Sequence, residues 1–85
     1  MMTEVTIYTS RICPYCIRAL QLLKQKGAKL NEISVDGDRE ARNRMMAKSR
    51  RQTVPQIWIG EQHIGGCDDL MMLDRQGGLD SLLAG

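Results

Sequence analysis

Cys13, Pro14, Tyr15 and Cys16 form a C-x-x-C tetrapeptide at a point where one hydrophobic period gives way to another. Before it, Glu4-Val5-Thr6-Ile7-Tyr8 alternates and is rich in β-formers, which predicts a strand. Thr9 to Ile12 reads as a short loop. After it, Ile17, Leu20 and Leu23 recur at helical spacing with Leu22 beside them. Pro14 suits the first turn of that helix and Gly27 its end. The chain must therefore fold so that a strand delivers two thiols to the entry of a helix.

The rest of the sequence supplies a sheet around that junction. Leu30 to Val35 reads as a second strand. Asp36-Gly37-Asp38 is a turn in which Asp38 can cap a helix running to about Ser49, with Ala41, Met45 and Met46 facing inward and the arginines outward. Gln56-Ile57-Trp58-Ile59 is a third strand, turning at Gly60-Glu61 into Gln62-His63-Ile64. Gly65-Gly66 breaks that strand. Asp68 and Asp69 then open a further helix, where carboxylates suit the positive end, and Gly77-Gly78 interrupts it before Leu79, Leu82 and Leu83. The order β-α-β-α-β-β-α predicts an α/β domain over residues 1–85: a βαβ unit with parallel strands, then an antiparallel hairpin, in a mixed four-stranded sheet flanked by helices. In this frame Trp58 is expected half buried, His63 a partly exposed edge residue, and each Met pair, Met45-Met46 and Met71-Met72, one core and one partly exposed side chain.

Charge and composition narrow the function. The formal net charge is +2, too small to imply nucleic acid. Arg39, Arg42, Arg44, Lys48, Arg50 and Arg51 gather against a single Glu40, but without the stacking aromatics of single-strand binders. They read as a solvated face, with binding of a small anion as the alternative. No apolar run approaches the ~20 residues of a membrane span, and the opening residues lack the basic segment and apolar stretch of a secretory signal. The cysteines number three, Cys13, Cys16 and Cys67. An odd count points away from a disulfide framework and towards a reducing compartment, where cysteine pairs are catalytic or bind metal.

The physical argument for catalysis is local. Backbone N–H groups at a helix entry are unpaired and the helix dipole favours an anion there, so Cys13 is expected as the thiolate nucleophile. Cys16, about one turn later on the same side but deeper, is expected as the resolving thiol. Cys67 reads as a helix-start residue whose backbone matters more than its sulfur.

Tyr8-Thr9, Cys13-Pro14-Tyr15-Cys16, Thr53-Val54-Pro55-Gln56 and Gly65-Gly66-Cys67-Asp68-Asp69 occur in this order over nearly the whole chain. On them the sequence resembles the glutaredoxins. The stretch from His63 to Leu70 makes it most similar to the short bacterial ones. The resemblance implies a thioredoxin fold and a glutathione-dependent oxidoreductase that reduces protein disulfides and glutathione mixed disulfides. Glutathione would be cosubstrate, with no tightly bound cofactor and no metal. The expected setting is a cytoplasmic monomer whose partners are glutathione and disulfide-containing or glutathionylated proteins, with no nucleic acid or membrane. It also implies a glutathione groove. Pro55 would follow a cis peptide bond, presenting the backbone of Thr53-Val54 to the cysteinyl backbone of glutathione like a short added strand. Gly66 would let backbone approach closely. The N–H groups at Cys67 and Asp68 would hold the γ-glutamyl carboxylate, an Asp side chain there would meet the ammonium, and Tyr15 would flank the sulfur. Arg42 matches the position that binds the glycine carboxylate. Many family members carry Lys where this chain has Ser10; the neighbouring Arg11 is the candidate substitute.

Two other classes fit parts of the pattern. Cys13, Cys16, His63 and Cys67 could ligate zinc, or Cys13 with external glutathione an iron–sulfur cluster in a dimer. A glutathione-independent redoxin served by thioredoxin reductase would also have this length, but such proteins usually lack the groove residues.

Overall fold

The computed structural model describes residues 3–85. Strand β1 (Glu4–Thr9) leads to helix α1 (Pro14–Gln25), strand β2 (Lys29–Ser34) and helix α2 (Arg39–Ser49). Strands β3 (Gln56–Ile59) and β4 (Gln62–Gly65) follow, then helices α3 (Cys67–Arg75) and α4 (Leu79–Ala84). The sheet order is β2-β1-β3-β4. β1 runs parallel to β2, and β3 is antiparallel to both β1 and β4. This is the thioredoxin-fold arrangement with one element added: the Gly77-Gly78 break separates two helices rather than bending one. Gly77 takes a φ of +81°, and Gly78 N–H closes the end of α3 on Leu73 O. Lys26 bridges both helices, with Nζ 3.0 Å from Asp74 and 3.0 Å from Asp80.

Alternation along the central strands splits the core into two layers. Val5, Ile7, Ile57 and Ile59 face α1, α3 and α4, packing with Ala19, Leu23, Leu70, Leu79 and Leu83. Tyr8 and Trp58 face α2, packing with Val35, Ala41 and Met45. Each fully buried aliphatic side chain contributes about 1.5–3 kcal/mol, and the two layers together fix β1 rigidly behind the thiols.

Four expectations change. Trp58 is buried, at 4% exposure, because Tyr8 meets it edge-on at 5.5 Å, the His63 ring lies against it at 4.8 Å and the Lys48 ammonium sits 5.1 Å from its ring centre. The lysine stem thus covers a ring that the sequence left half open. Ile17 does not belong to the inner face of α1: that face is Cys16, Ala19 and Leu23, and Ile17 stands 52% exposed. Val35 is buried but lies just beyond β2. The Met pairs behave as expected on α2, where Met45 is buried and Met46 partly so. On α3 Met71 is only partly buried and Met72 is exposed.

Candidate active site

β1 and its neighbours end beside the start of α1, and the loop between them places Cys13 as the N-cap of that helix. Its φ of −132° and ψ of 101° are extended, as an N-cap requires, and its sulfur does what a capping oxygen does elsewhere. Cys13 Sγ accepts from the Cys16 N–H at 3.2 Å. The thiol in turn donates to the Val54 carbonyl at 3.5 Å. The first contact points an N–H at the sulfur whether or not it carries a proton, and strengthens when it carries charge.

Cys16 sits behind, 1% exposed. Burial, then the hydrogen bond with Cys13, pushes its thiol up to about 12. Cys67 is also buried, and burial pushes its thiol up too. All three cysteines are free. The two members of the C-x-x-C pair therefore differ: Cys13, 9% exposed, bonds Val54 at the edge of a cleft, while Cys16 is held behind it as a neutral thiol, and neither of the two is itself a lining residue.

The cleft, about 290 Å³, is lined by Tyr15, Arg51, Thr53, Val54, Pro55, Gly66, Cys67, Asp68 and Asp69. That volume is at the lower end of the ~300–1,000 Å³ usual for small-molecule sites. It brings together Tyr15, Thr53, Val54, Pro55, Gly66, Cys67 and Asp68 from three separate stretches of sequence. The Val54–Pro55 peptide is cis. A Cβ on Gly66 would stand 3.4 Å from the Pro55 carbonyl, at van der Waals contact, so the two walls approach closely there. Gly66 is the N-cap of α3, which leaves the N–H groups of its first turn facing the cleft.

Arg42 and Arg11 lie outside this lining. Arg42 borders a neighbouring hollow with Val35, Gly37, Asp38 and Arg39, yet its guanidinium donates to the Gln52 carbonyl at 3.4 Å, one residue from Thr53. Arg11 is tied to Asp36, through its backbone N–H at 2.8 Å and its guanidinium at 3.7 Å. Those bonds, with Ser10, hold the Asp36 carboxyl below its ordinary range.

Arg51 and Asp69 belong to the cleft and were not among the expected site residues. Arg51 donates to Asp69 Oδ2 at 2.9 Å, and the same oxygen accepts from the Gly66 N–H at 2.9 Å. The Arg51 contact, then the Gly66 N–H, lowers the Asp69 pKa. The signal for Asp69 was its place three residues after a helix N-cap, where a side chain reaches back to the cap N–H. Arg51 carried no such signal: it lies in a run of similar cations. A Cβ at Gly65, whose φ is +119°, would collide with Asp69 Oδ2.

His63 is committed elsewhere. Its Nε2 lies 2.8 Å from Gln56 Oε1, and burial, then Arg51, lowers its pKa. Among the described residues no group of three or more His, Cys, Asp or Glu side chains converges as a metal site, so the zinc arrangement of Cys13, Cys16, His63 and Cys67 is not assembled.

The comparisons with known proteins agree with this geometry. The glutaredoxin family model matches residues 5–64. The chain is similar to a glutaredoxin of Pseudomonas aeruginosa, 57% identical over 98% of this chain and 99% of that one. It is similar to glutaredoxin 3 of Escherichia coli K12, 55% identical over 96% and 99%. Among solved structures it resembles a buckwheat glutaredoxin–glutathione complex, with a TM-score of 0.88 and 30% identity over 96% of this chain and 77% of that one.

Proposed function

Since the chain belongs to the glutaredoxin family, and so is a glutathione-dependent thiol–disulfide oxidoreductase, we propose that Cys13 is its nucleophile, Cys16 its resolving thiol and the adjoining cleft its glutathione site. The observation that carries this reading is the placement of the Cys13 sulfur at the N-cap of α1, beside a cleft walled by Thr53-Val54 and the start of α3.

On a mixed disulfide between a protein and glutathione, the Cys13 thiolate attacks the glutathionyl sulfur. The protein–glutathione S–S bond breaks as the Cys13–glutathione bond forms, and the protein thiolate leaves and is protonated. A second glutathione thiolate attacks the glutathionyl sulfur on Cys13. Glutathione disulfide departs and Cys13 is again a thiolate. On a protein disulfide, Cys13 bonds one substrate sulfur and releases the other. Cys16 then loses its proton and attacks Cys13, freeing the reduced protein and leaving a Cys13–Cys16 disulfide, which two glutathiones reduce.

The cysteinyl backbone of glutathione pairs with Val54 as an added strand, with Thr53 beside it and Pro55 fixing the turn. The first N–H groups of α3, at Cys67 and Asp68, take the γ-glutamyl carboxylate. Asp68, exposed and without a cation of its own within 4.0 Å among the described residues, meets the ammonium. Gly66 admits the ligand backbone and Tyr15 flanks the sulfur. Arg42 takes the glycine carboxylate, and Arg11, held by Asp36, adds a weaker second cation. No tightly bound cofactor takes part. The protein acts as a monomer in a reducing compartment such as the cytoplasm, where glutathione keeps the dithiol reduced.

The test is NADPH consumption with glutathione, glutathione reductase and either a small glutathione mixed disulfide or a protein disulfide. Cys13→Ser is expected to abolish both reactions. Cys16→Ser is expected to lose only the protein disulfide. Full turnover in Cys13→Ser would sink the assignment, and replacing the reductase system with thioredoxin reductase distinguishes a glutathione-independent redoxin.

A further inference from the structure

The surface next to Cys13 that the cleft does not use is apolar and basic. Ile12, directly before the nucleophile, is 93% exposed, and Ile17 is 52% exposed. Pro14, also exposed, lies one helical turn from Ile17 on the same face. Neither isoleucine lines the cleft, and neither is packed into a core layer. Single exposed aliphatic side chains are ordinary on a protein surface; what sets these two apart is that they flank the position in the molecule that must contact disulfides.

The segment that carries them is basic, although Asp36, bonded to Ser10 and Arg11, brings one carboxylate beside it. Residues 5–31 contain Arg11, Arg18, Lys24, Lys26 and Lys29 and no Asp or Glu. Lys26 is taken up by Asp74 and Asp80, and Arg11 partly by Asp36. Arg18 is exposed, forms no ion pair among the described residues, and rests over the Tyr15 ring at 6.0 Å. Tyr15 itself lines the cleft, so Arg18 stands at the boundary between the cleft and the apolar surface.

When a glutathionylated protein reacts, glutathione fills the cleft and the protein segment carrying the sulfur must lie on the surface outside it. We propose that Ile12, Ile17 and Arg18 form a docking collar that selects glutathionylated segments with large apolar residues beside the cysteine and acidic residues flanking them. This rests on the glutathione reading of the cleft and adds the class of protein substrate. The isoleucines bury apolar side chains of the substrate, and Arg18 supplies the opposite charge, which acts mainly on encounter and is screened by salt.

The experiment uses the full chain and three glutathione mixed disulfides in the NADPH-coupled assay. One is a peptide with Leu beside the cysteine and Asp outside it, the second a peptide with Ser and Lys in the same places, the third a small mixed disulfide with no flanks. The expected wild-type result is a kcat/KM about tenfold higher for the Leu/Asp peptide than for the Ser/Lys peptide, a factor worth ~1.4 kcal/mol. The double variant Ile12→Ser, Ile17→Ser brings the two peptides within about twofold and leaves the small disulfide unchanged. Arg18→Glu lowers turnover of the Leu/Asp peptide and raises that of the Ser/Lys peptide, with the contrast fading in high salt. Equal turnover of the two peptides by wild type, with the small disulfide still reduced, overturns the collar and leaves the glutathione reading intact. Failure on all three disulfides overturns the glutathione reading and the collar with it.

Discussion

Gln56, fully buried at the start of β3, donates through Nε2 to both oxygens of Thr53, 3.1 Å to the carbonyl and 3.3 Å to the hydroxyl. These bonds orient the amide, so its Oε1 is the atom facing His63 and must accept from His63 Nε2–H. His63 therefore carries its proton on Nε2, in agreement with the lowered pKa that keeps the ring neutral. The chain His63–Gln56–Thr53 ties the edge strand β4 to the wall of the cleft.

Replacing Gln56 by Leu keeps the bulk but leaves the Thr53 carbonyl and the His63 N–H without partners. The expected cost in stability is about 1–3 kcal/mol. Function should change in a specific way: the KM for glutathione rises about fivefold, equivalent to ~1 kcal/mol, while kcat at saturating glutathione stays within about twofold. Urea unfolding and steady-state kinetics check the two parts. A folded Gln56→Leu protein with unchanged KM would show that Thr53 needs no brace.

The Arg51–Asp69 pair spans the cleft from the segment after α2 to the first turn of α3, and its strength depends on pH in a definite direction. The Asp69 carboxyl in the folded protein titrates below its ordinary 3.8. Between those two values the unfolded chain binds the proton that the folded one refuses, so stability falls as the pH falls through that window and is fully present above it. Both side chains are about half exposed, so screening limits the pair to ~0.2–1 kcal/mol. Asp69→Asn should be less stable than wild type at pH 7, with the gap closing below pH 3.8. Urea titrations at pH 7 and at the acid end measure it. A gap that persists in acid would assign the loss to the Gly66 cap rather than to the charge.

The features legible in the sequence were those that rest on short-range rules. The strand-to-helix junction at Cys13, the Asp38 cap, which accepts from Ala41 N–H at 3.0 Å, and the hairpin at Gly60 all follow from a few adjacent residues. The walls of the cleft near Thr53 and Gly66 followed from resemblance rather than from periodicity. What stayed hidden depends on which residue meets which across the fold. Trp58 looked half open because β3 alone does not reveal that Lys48, ten residues earlier on another element, lies over its ring. Ile17 looked internal because its spacing to Leu20 is helical, yet α1 turns a different stripe, through Cys16, Ala19 and Leu23, to the sheet. Arg51 was indistinguishable from Arg44 or Arg50 until the fold set it beside Asp69.

Arg50 closes α2 in the left-handed region, with φ 59° and ψ 26°, and its N–H bonds Met46 O at 2.8 Å. A side chain with a Cβ pays about 1–2 kcal/mol for that conformation, while glycine adopts it freely at an entropic penalty of ~0.5–1 kcal/mol in the unfolded chain. The Arg50 side chain is exposed and makes no ion pair among the described residues. Arg50→Gly should therefore stabilise the protein by about 0.5–1 kcal/mol and leave glutathione kinetics unchanged. A lower urea midpoint in the variant would mean that the guanidinium holds the helix end through contacts the strain does not outweigh.

Cys16 should behave as a protonated thiol throughout the physiological range. With its pKa at about 12 rather than 9.0, the thiolate fraction at pH 8 is on the order of one in ten thousand instead of one in ten. Alkylation goes through the thiolate, so in Cys13→Ser, with Cys67 also replaced by Ala, iodoacetamide should modify Cys16 slowly at pH 8. Its rate should still be climbing at pH 10.5. The variant removes the part of the shift caused by Cys13, but burial is the larger cause and stays. Stability moves with it. Above about 9.0 the unfolded thiol loses its proton while the folded one keeps it to about 12, so the unfolded state binds fewer protons and the folded state loses ground as the pH rises through that interval. Cys16→Ala should flatten that alkaline decline. An alkylation rate that levels off near pH 9 would place Cys16 in contact with water, and the asymmetry between the two thiols would then have to come from the N-cap of α1 alone.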